Sequence, residues 1–138
     1  MSLFGALGTA GSGLTVFRTW LDAVADNMAN LNTVRPTSEA AYQPRRVVAE
    51  SIPGSDPNAP GVGGGARVAG VAFGDPEGRL VSQPDHPFAD AQGLVRAPDI
   101  DLGTEMVDLM LAQRAYQANL SVIDRVRDSY QQAIEISA

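Results

Sequence analysis

The sequence has no cysteine and no lysine, and it holds one histidine, one tryptophan, three tyrosines and four phenylalanines. Without cysteine, disulfides, thiolate chemistry and cysteine-built zinc sites are excluded, although the compartment stays open. All ten basic residues are arginine, which a GC-rich genome explains more simply than a demand for forked hydrogen bonding. The formal charge of −6 disfavours free nucleic acid and anionic membrane as partners, since both reward a basic surface. No stretch approaches the length of a membrane-spanning helix, so direct membrane insertion is not expected. The N-terminus has no basic residue before Arg18 and no solid apolar run. It therefore fails as a cleavable secretory signal, and any export must read some other feature.

Catalytic signals are equally scarce. His86 lies in an extended turn between Pro84 and Pro87, with Asp85 and Asp90 near in sequence but no second histidine to complete a site. A base or metal ligand needs more geometry than that. No serine sits in a nucleophile-elbow sequence. Gly5, Gly8 and Gly11 follow no strand and lead to no Gly-Lys-Ser/Thr ending, so a phosphate cradle is disfavoured. The expected catalytic, cofactor and metal sites are none.

What the chain does have is two long apolar ladders, one at each end. The last third, from Asp101, contains no proline. Its ladder runs Leu102, Met106, Leu109, Tyr116, Leu120, Ile123, Tyr130, Ile134, interrupted at Gln113 and Arg127, where Ala112 and Val126 widen the stripe. Steps alternating between four and three residues mark the seam of a helix packed along another helix. At about 1.5 Å per residue this helix is roughly 50 Å long, too long for a core this small to cover. The first segment carries Leu3, Leu7, Ala10, Leu14, Phe17, Leu21, Val24, Met28 and Leu31 in the same rhythm without a break. The glycines at 5, 8, 11 and 13 each cost up to about 1 kcal/mol of helix propensity. Leu14 to Asn32 therefore reads as helix outright, and the first dozen residues become helical only when something packs on them. Pro36 ends the segment by disfavouring helical geometry at Arg35.

Between the ladders the composition shifts. Tyr42–Glu50, Ala66–Gly74 and Arg79–Ser82 read as short strands. Between the first two lies Pro53–Gly65, in which eight of thirteen residues are Pro or Gly, a flexible loop at a hairpin tip. The expected fold is mainly α: an antiparallel, coiled-coil-like pair of terminal helices with a small β-hairpin and loop insertion. Residues 1–34 and 99–138 form the helical core and 35–98 the insertion. A bare two-helix hairpin buries too little to stand alone, so the pattern predicts assembly.

The helix-pairing and subunit-interface residues are expected to be Leu14, Phe17, Leu21, Val24, Met28 and Leu31 in the first helix. Met106, Leu109, Met110, Tyr116, Leu120, Ile123, Tyr130 and Ile134 are their counterparts in the second. Met106 to Leu111 is apolar around nearly a full turn, which a pairwise seam does not require. Asn27, Asn30 and Asn119 each precede a ladder residue by one position. Together with Gln117 they are candidates for fixing register through cross-helix amide bonds. Asn30 and Asn32 can also be read as helix terminators, which is the favoured reading for Asn32. The glycines every third residue would either admit a close helix neighbour or leave the terminus unordered before assembly.

Three stretches then carry a resemblance. Asp26-Asn-Met-Ala-Asn-Leu-Asn-Thr33 resembles the Asn-Leu-Ala-Asn signature of bacterial flagellar rod and hook proteins, with Met28 in place of leucine. Gln113-Arg-Ala-Tyr-Gln-Ala-Asn-Leu-Ser-Val-Ile123 is similar to their C-terminal signature. Gln83-Pro-Asp-His-Pro-Phe-Ala-Asp-Ala-Gln-Gly-Leu-Val-Arg-Ala-Pro-Asp-Ile-Asp101, leading into Glu105-Met-Val, resembles a segment particular to the small proximal rod member. Leu94 stands there for tyrosine and Asp99-Ile100 for Asn-Val. The resemblance implies a structural rod subunit, exported uncleaved by the flagellar type III apparatus and polymerised helically into the drive shaft crossing the periplasm. It implies terminal helices forming the inner layer around the export channel, with ends unordered before assembly. Implied partners are copies of itself, other rod proteins, the hook–basal-body adaptor, the export apparatus and the P ring. A soluble coiled-coil adaptor is the competing expectation; it shares the ladders but not the rod motifs.

Overall fold

The computed structural model describes residues 3–54 and 63–137; residues 55–62 of the expected flexible loop lie outside the described residues. The order is α1 (Leu3–Ala29), β1 (Arg45–Ser51), β2 (Ala66–Phe73), β3 (Arg79–Ser82), β4 (Leu94–Ala97) and α2 (Leu102–Ser137). With 27 residues in α1 and 36 in α2, the helices are about 40 Å and about 54 Å long.

α1 is helical from Leu3 despite its glycines because two elements cover it. α2 packs along one side and the β1–β2 hairpin along another. The hairpin is clipped on by Ser12, whose Oγ accepts the Ala66 N–H at 3.0 Å and donates to Thr9 O at 2.7 Å. The helix stops at Ala29, three residues before the expected Asn32. Asn30 closes it: the side-chain amide donates to Asp26 O at 2.9 Å, and Oδ1 accepts the Thr33 hydroxyl at 3.1 Å.

The insertion holds two separate two-stranded sheets where one hairpin unit was expected. β1 pairs antiparallel with β2, Val47 opposite Val71, with a bulge between Val48 and Ala49. β3 pairs antiparallel with β4, Val81 opposite Val95. The sequence reading missed β4, a four-residue strand running straight into Pro98 and α2. Arg96 anchors this second sheet. Its backbone exchanges two hydrogen bonds of 2.8 Å with Arg35. Its guanidinium donates to Thr37 O at 2.9 Å and to both the backbone oxygen and carboxylate of Glu77 at 2.7 Å.

α2 starts at a built cap. Asp101 Oδ2 accepts the N–H and the hydroxyl of Thr104, both at 2.8 Å, satisfying one of the orphan donors of the first turn. These bonds hold the Asp101 carboxyl below its ordinary range, the Thr104 hydroxyl having the largest effect. Asp90 plays the same part in the preceding loop. It accepts the N–H groups of Leu94 and Gln92 at 2.9 Å and the Thr37 hydroxyl at 3.1 Å, and its carboxyl is likewise held low, chiefly by the Leu94 bond.

The core is thin. Its fully buried side chains of greatest volume are Val24, Val95, Asn27 and Pro98. Among the described residues no leucine, methionine or aromatic side chain is fully buried.

Candidate assembly interface

Three contacts set the register of the helix pair. Asn27 reaches Glu105, Gly13 abuts Asn119, and Phe4 meets Tyr130 edge-on at 6.4 Å between ring centroids. As the α1 residue falls in number, its α2 partner rises in step, so the helices are antiparallel. Leu3 then lies near Tyr130, and the last turns of α2, from Gln131, extend about 10 Å beyond α1.

The stripe of α2 that faces α1 is Glu105, Leu109, Ala112, Tyr116, Asn119, Ile123 and Val126. This departs from the expected ladder in one regular way. Leu109, Tyr116 and Ile123 are on it, half-buried, but Met106, Leu120 and the interruptions Gln113 and Arg127 are each replaced by the residue before them. The two helices approach closely enough that a Cβ on Gly13 would sit 2.9 Å from Asn119 Oδ1, so small and polar side chains fill the gap. Met106, Met110, Leu120, Tyr130 and Ile134 stay exposed within the single chain, as does Gln117. On α1, Val24 is buried, while Leu14, Phe17, Leu21 and Met28 are half-buried; Leu31, expected on the helix, lies two residues past its end and is half-buried, and Phe17 stacks on Trp20 with ring centroids 6.1 Å apart.

The amides divide. Asn27, 1% exposed, is the polar centre of the fold. Its Nδ2 donates to Arg45 O at 3.0 Å and to the Glu105 carboxylate oxygens at 3.2 and 3.3 Å. Its Oδ1 accepts the Arg45 N–H at 2.8 Å and the Tyr42 hydroxyl at 3.3 Å. One side chain thus ties α1 to α2, to β1 and to the linker before it. Burial raises the Tyr42 hydroxyl above its ordinary range. Asn30 bonds within its own helix end and does not cross to α2. Asn119 lies on the seam, but its amide donates back to Ala115 O at 2.9 Å in its own helix. The glycine expectation is revised too: Gly8 and Gly11 face open space, and Gly13, outside the three-residue rhythm, makes the close approach.

Glu105 and Trp20 were not singled out from sequence. Glu105 shares a seven-residue rhythm with Ala112, Asn119 and Val126, and that rhythm was the available signal. His86 serves its own turn, Nδ1 accepting the Phe88 N–H at 3.1 Å. Among the described residues no three His, Cys, Asp or Glu side chains gather as a metal site, and no helix is long and apolar enough to cross a membrane.

The outer face of α2 is apolar and uncovered among the described residues. Met106, Val107, Met110 and Leu111 are each about half exposed on successive turns, and among the described residues α2 packs on no element but α1. Contiguous apolar surface of this kind marks an interaction site, and the class of protein it defines is a structural assembly subunit. Comparison with known proteins narrows the class. Residues 7–37 match the family model described as flagella basal body rod protein, and residues 91–136 the model of the flagellar basal body rod FlgEFG protein C-terminal region. The flagellar basal-body rod protein FlgC of Yersinia enterocolitica is 37% identical, covering 92% of both chains. FlgC of Bacillus subtilis is 32% identical over 99% of both, and that of Borreliella burgdorferi 32% over 99% of this chain and 98% of its own. The chain belongs to the FlgC family of flagellar basal-body rod proteins.

Proposed function

We propose that the chain is a non-enzymatic subunit of the proximal rod that polymerises helically with copies of itself and with other rod proteins. Its terminal segments, residues 1–34 and 99–138, carry the helices that pair in a coiled-coil-like manner and interdigitate with those of neighbours to carry torque. Residues 35–98 form an appendage to that shaft. The observation that carries this reading is the half-exposed row Met106, Val107, Met110 and Leu111 on a helix whose only packing partner among the described elements is α1. The exposed ladder residues Leu120, Tyr130 and Ile134 are assigned to subunit contacts, and Leu109, Tyr116 and Ile123 to the intrachain seam. Gln117 joins the polar part of the subunit contacts. Export is by the flagellar apparatus without cleavage, the rod lies in the periplasm, and the hook–basal-body adaptor and P ring are neighbours.

Circular dichroism against protein concentration tests this reading. Helix content is expected to be incomplete in dilute protein and to rise with concentration. Full helicity in dilute monomer, with a cooperative melt independent of concentration, contradicts assembly as the source of order.

A further inference from the structure

Beside the Asn27 centre, where α1, β1 and α2 meet, lies a cleft of about 210 Å³. Trp20 and Val24 form part of its wall, Asn27 and Glu105 are deeply buried in it, and Asp108, Arg45 and Arg46 complete the polar lining. Glu105 is 5% exposed. A carboxylate offers about four acceptor positions, and here its side-chain donor is one neutral amide, shared between both oxygens at 3.2 and 3.3 Å. The first turn of α2 offsets part of the charge through the helix dipole. A buried carboxylate with so little donor contact calls for a cation.

The cations already in the cleft do not meet that need. Arg45 is engaged by Asp26 at 2.6 Å, and Arg46 is exposed and makes no ion pair among the described residues. With Arg45 matched by Asp26, Glu105 and Asp108 outweigh Arg46, and the lining is acidic on balance.

We propose that this cleft receives an arginine guanidinium from a second copy of the chain. The planar guanidinium can bond both Glu105 oxygens while stacking on the Trp20 ring, which an ammonium cannot do equally well. A second copy is the fitting source because the chain has ten arginines and no lysine. Arg18, Arg114, Arg125 and Arg127 stand exposed on the helices with no ion pair among the described residues. Asp108, on the cleft wall, stands three residues before Leu111 of the apolar row and is its neighbour on the helix surface, so the cleft borders that row. This inference rests on the proposed self-assembly and adds to it a specific polar lock.

Trp20 is the single tryptophan, so its fluorescence reports on the cleft. With the full chain, N-acetyl-argininamide is expected to give a saturable change in emission, and the uncharged citrulline analogue a much weaker one. Glu105→Gln keeps the side-chain shape and an acceptor for Asn27 but removes the charge. It is expected to weaken the argininamide response and concentration-dependent self-association by about tenfold or more, the scale of a charge-assisted hydrogen bond. Far-ultraviolet circular dichroism confirms that the variant is folded like the parent. An equal response to the citrulline analogue, or an unchanged Glu105→Gln, overturns the proposal. Self-association unchanged in Glu105→Gln overturns it while leaving assembly intact. A parent chain that binds argininamide yet stays monomeric at every concentration overturns the second copy as the source and the assembly reading with it.

Discussion

Asn27 is the residue on which most of the tertiary polar order converges. Its replacement by alanine strips the partner from a buried carboxylate and from the N–H and carbonyl of Arg45. A stranded buried group costs about 1–3 kcal/mol; Glu105 is buried and the Arg45 groups are partly so, so Asn27→Ala is expected to lose about 2 kcal/mol or more. The urea midpoint, read at a concentration where the helices are formed, checks this; a loss under about 0.5 kcal/mol, the scale of an ordinary surface change, would contradict it. Asp101 and Asp90 make a different prediction. Their carboxyls are held below the ordinary range in the folded chain by the Thr104 and Leu94 bonds. The stabilisation they give is full above the ordinary carboxylate range and drains away as pH falls through their lowered values. The urea midpoint should fall between pH 6 and pH 3, and part of that fall should vanish in Asp101→Asn. An Asp101→Asn variant with the parent's full pH dependence would show that the charge on Asp101 contributes nothing.

At the scale of elements, α2 and the existence of an antiparallel partner at the other end of the chain were legible in sequence, because both ladders repeat over many turns. The position of the seam was not. A ladder is read by following the bulkiest side chains, but a pair that closes on Gly13 selects Ala112, Asn119 and Glu105 and turns the bulk of Met106 and Met110 outward. β4 escaped for a different reason: Pro98 follows its last residue at once, and Arg96 within it is held by contacts far away in sequence. Asn30 reads from sequence either as a register amide or as a helix terminator; it lies where α1 is already ending, and its own backbone offers nearer partners than α2 does. The glycines separate these effects experimentally. Gly8→Ala and Gly11→Ala meet no atom within 4 Å and should stabilise the isolated chain by about 0.5–1 kcal/mol each. Gly13→Ala must displace the Asn119 amide and its bond to Ala115, so it should give no such gain. Equal gains at all three positions, measured by urea unfolding, would contradict the close approach at Gly13.

At the scale of the whole molecule, the helix pair leaves much of its large apolar side-chain surface outside and buries only smaller side chains fully. Val24 and Val95 are the bulkiest aliphatic side chains it buries completely, which is little for 138 residues. In the proposed assembly the missing burial comes from outside, from neighbours laid along α2. The surplus of Met106 to Leu111 is the sequence feature on which that proposal rests. The arrangement of the appendage, with Arg96 gathering Thr37, Glu77 and Arg35, depends on contacts between residues far apart in sequence and left no local pattern to read.

Because the chain has no cysteine, a single introduced thiol reports on one position alone. Met110→Cys places it at the centre of the outer row of α2. In purified basal bodies this thiol should be protected from a maleimide reagent, and after dissociation of the rod it should react readily. Equal labelling in the intact and dissociated states would mean that no neighbour covers this face, and would contradict the assembly role assigned to it.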